Sequence, residues 1–309
     1  MRDRFIRTLH ECAKADPRLI LVTGDLGFGV LSEYARSLPS QFLNVGVAEQ
    51  SMTSIATGLA LEGHIAFTYS IANFPTLRCL EQIRNDAAYH DANVNVVSIG
   101  GGFSYGALGM SHHATEDLAI MRAIPQMTVV SPGCLWETEQ ATRALIDSPG
   151  TGFLRLDKSD AGETGREGEL FELGKPRLLR NGDSVTILTT GGVLGEVLDA
   201  EKVLRERGVD CDVFSCHTLK PFLPDEVLTS IARTGRVVCV EEHIVTGGLA
   251  GLMAETCLDA GVSLHWFKKI GITGGFCMEV GSQAHLRRLY GLDAGSIVNS
   301  VQKWVGSDD

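Results

Sequence analysis

Short, largely apolar runs punctuate the first half of the chain: LILVT (19–23), FLNVGV (42–47), HIAFTYS (64–70), VNVVSI (94–99), MTVVSP (127–132) and GFLRL (152–156). Between them the apolar period changes. Met52, Ile55, Ala56, Leu59 and Ala60 recur at helical spacing, so one face of a helix there is expected to be buried. Leu77, Leu80, Ile83, Arg84, Ala87 and Ala88 give a similar, partly polar stripe. Strands alternating with helices predict a parallel sheet covered on both faces.

From about Asp157 to Asp183 the pattern lapses into KSDAGETGREGE and LGKPRLLRNGD, charged and weakly periodic, which reads as a connector. Alternation then resumes, with strands SVTILTT (184–190), CDVFSC (211–216) and VVCVEE (237–242), helices over 194–207 and 225–233, and another opening at Gly247-Gly248. A length of 309 residues suits two domains. The expected fold is therefore two tandem α/β domains with mostly parallel sheets, over 1–165 and 184–309, joined by 166–183. Near the end, GITGGFCMEVGSQAHLRRLYGLD reads as a glycine turn leading into an amphipathic helix with Arg287 and Arg288 solvated.

Composition narrows the partners. A formal net charge of -11 without a lysine or arginine run is opposite to the footprint of a nucleic-acid binder. No stretch approaches the roughly 20 apolar residues of a membrane span, and MRDRFIRTLHECAKADP lacks the apolar core of a signal peptide, so a cytoplasmic protein is expected. Eight cysteines lie without any CxxC pair, which fits reduced thiols better than disulfides or zinc. Cys216 and His217 are neighbours in a strand and point to opposite faces.

Glu49 in NVGVAEQSM is the first candidate for chemistry. It ends an apolar run and opens a helix, at the edge of a parallel sheet where ligands collect. The helix dipole alone would favour a carboxylate there. The apolar flanks VGVA and MTSIATGLA can also bury it, and a buried carboxylate needs a partner.

VGVAEQ, TYSIANF, RCLEQIRNDAAY, SHHATEDLAIMRAIP and TVVSP, in that order, resemble the pyrimidine-binding half of the transketolase family of thiamine diphosphate enzymes. Residues 184–300, with VVCVEEHIVTGGLAG, resemble the family's C-terminal domain. The resemblance implies that Glu49 bonds the pyrimidine N1′ of thiamine diphosphate and promotes the imino form that deprotonates the thiazolium. It implies that Phe74 is the aromatic platform, with Ile71 standing where an earlier aromatic is usual and Tyr69 lining the same pocket. His112 falls at a histidine that contacts the reacting substrate oxygen, and His113, which stands where glutamine is usual, is expected to be a second polar contact for substrate or else exposed.

Other positions depart from the sugar-phosphate members. Leu108 replaces a donor-reading aspartate, Gly100 a further histidine, Gly29 a phosphate-binding serine and Lys158 an arginine. Arg155 and Arg2 remain as cationic contacts for substrate. The glycine-rich GGGFSYGALG is expected either to pass close to the cofactor or another chain, or to leave room for a bulkier, less polar substrate. Neither TGDLG nor NGDS is the family's GDG motif, so the diphosphate and a Mg2+ or similar ion are expected on a separate N-terminal transketolase subunit, in an α2β2 assembly. The reaction implied is ketol transfer from a ketose, expected to be phosphorylated, to an aldehyde, with 2-oxoacid decarboxylation and acyl transfer as the alternative. A nicotinamide dehydrogenase is disfavoured because GGVLGE (191–196) lacks the GxGxxG spacing. In a scaffold subunit Glu49 would be dispensable. Glu241, Glu242 and His243 read as structural.

Overall fold

The computed structural model describes residues 1–27 and 29–306. Among the described residues twelve strands form two sheets: β1 (Leu19–Thr23), β2 (Phe42–Asn44), β3 (Ile65–Ile71), β4 (Val94–Ile99), β5 (Met127–Val130), β6 (Thr151–Leu156), β7 (Arg177–Arg180), β8 (Val185–Thr190), β9 (Cys211–Ser215), β10 (Thr218–Lys220), β11 (Arg236–Ile244) and β12 (Trp266–Ile272). The first sheet runs β10-β5-β6-β4-β3-β1-β2 and the second β12-β11-β8-β9-β7. Both are parallel except at one edge, where β10 and β7 pair antiparallel.

Side chains alternate between two cores, as strand geometry requires. Leu19 and Leu21 enter a cluster with Phe5, Phe67 and Leu154. Ile20 and Val22 enter another that continues through Met52 and Met121 into Leu188, Val237 and Cys239 of the second sheet. Ile187, Val238 and Val240 face a third, with Val298 and Val301. The halves thus share a core, and the second half lends β10 to the edge of the first sheet.

Three local readings change. Arg177–Arg180, within the expected connector, is a strand because Leu179 enters the third core and Arg177 spans Glu137 (2.5 Å) and Glu169 (2.8 Å). In the helix Glu49–Leu61 the buried face is Glu49, Met52, Thr53, Ala56 and Thr57, while Ile55 is exposed. Thr53 and Thr57 can be buried because their hydroxyls donate to the carbonyls of Glu49 and Thr53, four residues back. In the next helical stretch Ile83–Ala88 is a π-helical turn, which shifts the phase so that Ile83, Ala87 and Ala88 are buried while Leu77 and Arg84 point outward. All eight cysteines are free thiols.

Candidate active site

The candidate residues leave the carboxyl edge of the first sheet, the ligand-binding edge of open α/β sheets. Glu49 follows β2 and opens its helix, only 3% exposed. A side chain at Gly24, just after β1, would touch the Glu49 Cγ at 3.4 Å, so the loops close tightly over it. Its partner is Arg78, whose Nη1 donates to Oε2 at 2.8 Å. Among the described residues Oε1 accepts no hydrogen bond, so one carboxylate oxygen is fixed and the other is available.

Arg78 also lies over Phe74, with Cζ 4.4 Å from the ring centroid. Phe74 is half-buried after β3 and meets the His112 ring edge-on at 5.1 Å. His112 meets Tyr105 at 6.3 Å, and the Lys158 Nζ stands 3.8 Å from the Tyr105 ring centroid. Glu49, Arg78, Phe74, His112, Tyr105 and Lys158 thus form one chain of contacts. Burial, reinforced by His113, pushes the His112 imidazole below its ordinary pKa, so it is neutral near pH 7. Its Nδ1 faces the Ser111 hydroxyl at 3.0 Å.

At the far end lies a cleft of about 700 Å³ lined by Arg2, Arg4, Arg7, Tyr105, Asp157 and Lys158, among others. Arg2 reaches this edge because the helix Arg2–Ala15 leads into β1 from the opposite direction. Burial, with Arg2 nearby, pushes the Lys158 ammonium below its usual pKa.

Several expected residues lie elsewhere. Arg155 is 1% exposed and cannot be a surface contact for substrate. It points inward from β6, where Asp117 (3.0 Å) and Asp157 (3.6 Å) neutralise it and the carbonyls of Ala114 and Glu242 accept from its Nη2. Tyr69 stacks on Phe5 in the core, with ring centroids 6.4 Å apart, because it shares the inward face of β3 with Phe67. Ile71 ends β3 half-buried, and its carbonyl accepts from the Phe74 N–H. His113 is buried, its Nε2 3.2 Å from the Gly106 carbonyl and its ring against Phe103. Gly29 borders a neighbouring groove with Arg2 and Arg7. Leu108 is 57% exposed on the glycine-rich loop.

That loop is not an enlarged substrate space. A Cβ on Gly100, at φ +103°, would sit inside the Tyr105 ring, and one on Gly102 would come within 2.5 Å of the Glu242 carboxylate. Glu242 accepts from Phe103 N (2.6 Å), Gln283 Nε2 (2.9 Å) and Arg287 Nε (2.5 Å). Arg287 is therefore buried against Glu242, not solvated, whereas Arg288 is exposed. Glu241 caps the helix Leu249–Asp259 through the amides of Leu249 and Ala250. The second half thereby clamps the loop that carries Tyr105 and His112.

Arg78 and Tyr105 are not singled out by the sequence. Arg78 sits inside a quoted motif, but its reach back to Glu49 spans 29 positions and has no local periodicity. A tyrosine amid glycines is the only local sign of the other. A free carboxylate oxygen beside a half-buried aromatic ring fits the pyrimidine of thiamine diphosphate. Among the described residues no group of three or more His, Cys, Asp or Glu could hold a metal ion, and no helix among them is long and apolar enough to cross a membrane.

Comparison with known proteins gives the same assignment. Residues 1–163 match the transketolase pyrimidine binding domain and 174–297 the transketolase C-terminal domain. The chain is 32% identical over 306 residues to an apulose-4-phosphate transketolase subunit of Phocaeicola vulgatus, covering 98% of this chain and 97% of that one. It is 34% identical over 304 residues to a 6-deoxy-6-sulfo-D-fructose transketolase subunit of Clostridium sp., covering 98% and 94%. A solved split-gene transketolase, an inactive beta4 tetramer, superposes with TM-score 0.87 at 30% identity, covering 99% of this chain and 97% of that one. The chain belongs to the transketolase family, carries its pyrimidine-binding and C-terminal domains, and matches the separate subunits of split transketolases over nearly its whole length.

Proposed function

We propose that this chain, with a second subunit that binds the diphosphate and a divalent ion such as Mg2+, transfers a two-carbon ketol unit from a ketose to an aldehyde in the cytoplasm, as an α2β2 assembly. The observation that carries the reading is the buried Glu49 carboxylate, held through one oxygen by Arg78 and open at the other, beside Phe74 and His112. Bound there, thiamine diphosphate supplies the carbon nucleophile that accepts and releases the ketol unit.

The protein's own residues divide the remaining work. Glu49 Oε1 holds and exchanges a proton with the pyrimidine nitrogen, while Arg78 fixes the carboxylate's orientation. Phe74 seats the ring and Ile71 closes its edge. His112, neutral near pH 7, accepts or returns a proton at the substrate oxygens. Lys158 and Arg2 meet an anionic end of the substrate, with charge-assisted hydrogen bonds contributing about 1.5–3 kcal/mol each. Its chemistry is a phosphate or a sulfonate, in keeping with the names of the two relatives.

Leu108 favours keeping a second reading, because an exposed apolar side chain there offers no acceptor for a donor hydroxyl. In that reading a 2-oxoacid is decarboxylated and its acyl unit transferred. Xylulose 5-phosphate and pyruvate, each supplied to the two-subunit complex with an aldehyde, separate the readings. Aldehyde release from the ketose without carbon dioxide supports ketol transfer, and carbon dioxide from pyruvate as the main product refutes it.

A further inference from the structure

Lys158 and Tyr105 belong to different loops, after β6 and β4, yet they are locked together. The Lys158 backbone N–H donates to Ser104 Oγ at 3.1 Å, and the Ser104 hydroxyl donates to the Gly101 carbonyl at 2.7 Å. Gly100 carries no Cβ and takes a left-handed conformation, which lets the Tyr105 ring fold back over the end of β4. The ring then holds the Lys158 ammonium over its face at 3.8 Å. The backbone bond and the ring contact thus hold the two residues side by side.

The Tyr105 hydroxyl is left without a use inside the protein. Among the described residues it has no hydrogen-bond partner, and it is not among the buried polar atoms lacking one, so it is accessible on the wall of the cationic cleft. Burial raises its pKa while the charge of Arg2 opposes the rise, so near pH 7 it is a neutral O–H donor. The same ring meets His112, with centroids 6.3 Å apart. Tyr105 therefore contacts both the histidine of the reacting corner and the lysine of the anion cleft.

Resting on the ketol-transfer reading above, we propose that Tyr105 is a specificity-determining residue whose hydroxyl, with the ammonium of Lys158, binds the terminal tetrahedral oxyanion of a sugar phosphate or sugar sulfonate. Its ring sets the separation between that group and the carbon chain presented to His112. A phosphate or sulfonate oxygen accepts from the phenol and from the ammonium together, whereas a neutral hydroxymethyl terminus cannot engage the charge.

The test uses the two-subunit complex with D-ribose 5-phosphate and D-ribose as acceptors, and Tyr105→Phe and Lys158→Met as variants. Tyr105→Phe keeps the ring that fills the space over Gly100, so the fold is retained. It lowers the ratio of kcat/KM for D-ribose 5-phosphate over D-ribose about tenfold, through KM, and Lys158→Met lowers the ratio further. An unchanged ratio in Tyr105→Phe, or an equal loss on both sugars, overturns the proposal. A second readout needs no turnover: binding of inorganic phosphate and of methanesulfonate to the complex, by calorimetry. Tighter binding of one identifies which oxyanion the cleft takes, and Tyr105→Phe weakens that one. If no ketol is transferred yet phosphate or methanesulfonate binding still depends on Tyr105, the site stands and the reaction assignment fails. If neither ion binds, the site fails.

Discussion

Two clusters of charge lie at the same sheet edge and are built on opposite principles. Around Glu49 there is one buried carboxylate, one arginine that is 46% exposed along its side chain, and a carboxylate oxygen that among the described residues accepts no hydrogen bond. Around Arg155 and Glu242 the charges are buried and mostly met from within: Arg155 by Asp117 and two carbonyls, with Asp157 at 3.6 Å, and Glu242 by an amide, Gln283 and Arg287; among the described residues Asp157 Oδ1 accepts no hydrogen bond. A half-open pair can accept a ligand, whereas a buried network whose partners come from both halves holds them together. The difference separates a chemical from an architectural role where residue type alone does not.

Breaking the buried network has the largest expected effect on stability. Arg155→Met leaves the Asp117 and Asp157 carboxylates without the cation between β6 and their loops, each keeping a backbone amide donor, and removing one partner of a buried pair costs about 3–5 kcal/mol. Chemical denaturation should show that loss whether or not the cofactor is added. Glu242→Gln, which keeps the shape and removes the charge facing Arg287, costs less, about 1–3 kcal/mol, and should loosen the glycine-rich loop, seen as faster amide exchange at Phe103. A variant as stable as wild type in both measurements would remove the clamp from the account.

His217 gives an effect spread over pH. Burial pushes its imidazole down to about 4, and among the described residues its Nε2 has no hydrogen-bond partner. Between the ordinary value of 6.5 and about 4 the unfolded chain binds a proton that the folded chain does not, so this stability is present above pH 6.5 and is lost as pH falls toward 4. The slope is at most about 1.4 kcal/mol per pH unit. Denaturation midpoints of His217→Asn should therefore fall less steeply over that window than those of the unmodified chain.

Smaller still are changes at exposed charges. Arg78→Met should lower stability by about 1 kcal/mol: Arg78 is half open to solvent, but its loss leaves the buried Glu49 carboxylate without its ion-pair partner. It should nevertheless weaken thiamine diphosphate binding and turnover, since Glu49 loses its orienting partner. An Arg78→Met complex with normal cofactor affinity would remove the distinction between the clusters. Lys175→Ala breaks only a surface pair with Glu226 and should leave the melting temperature unchanged within error.

What the sequence discloses follows the same division. Buried strands and the helix behind Glu49 are legible because period and apolarity are local properties, and β1 and β4 fall where the apolar runs predict. Glu49 stands out because a charge between apolar stretches is anomalous. Arg155 and Arg287 read as substrate or solvent contacts because what buries them lies far along the chain, 45 positions for Glu242 and Arg287. The glycines of GGGFSYGALG suggest open space for a similar reason. Their neighbours, Glu242 and Leu286 among them, come from the other half of the molecule.

The central claim is that Glu49 is the proton-exchanging acid of a thiamine diphosphate site that this chain completes with a partner. Its most direct test is Glu49→Gln in the two-subunit complex, with aldehyde release from xylulose 5-phosphate measured beside the circular dichroism and assembly state of the same sample. The expected result is an intact, correctly assembled complex whose turnover falls by about 100-fold or more. An intact complex with undiminished turnover would contradict it.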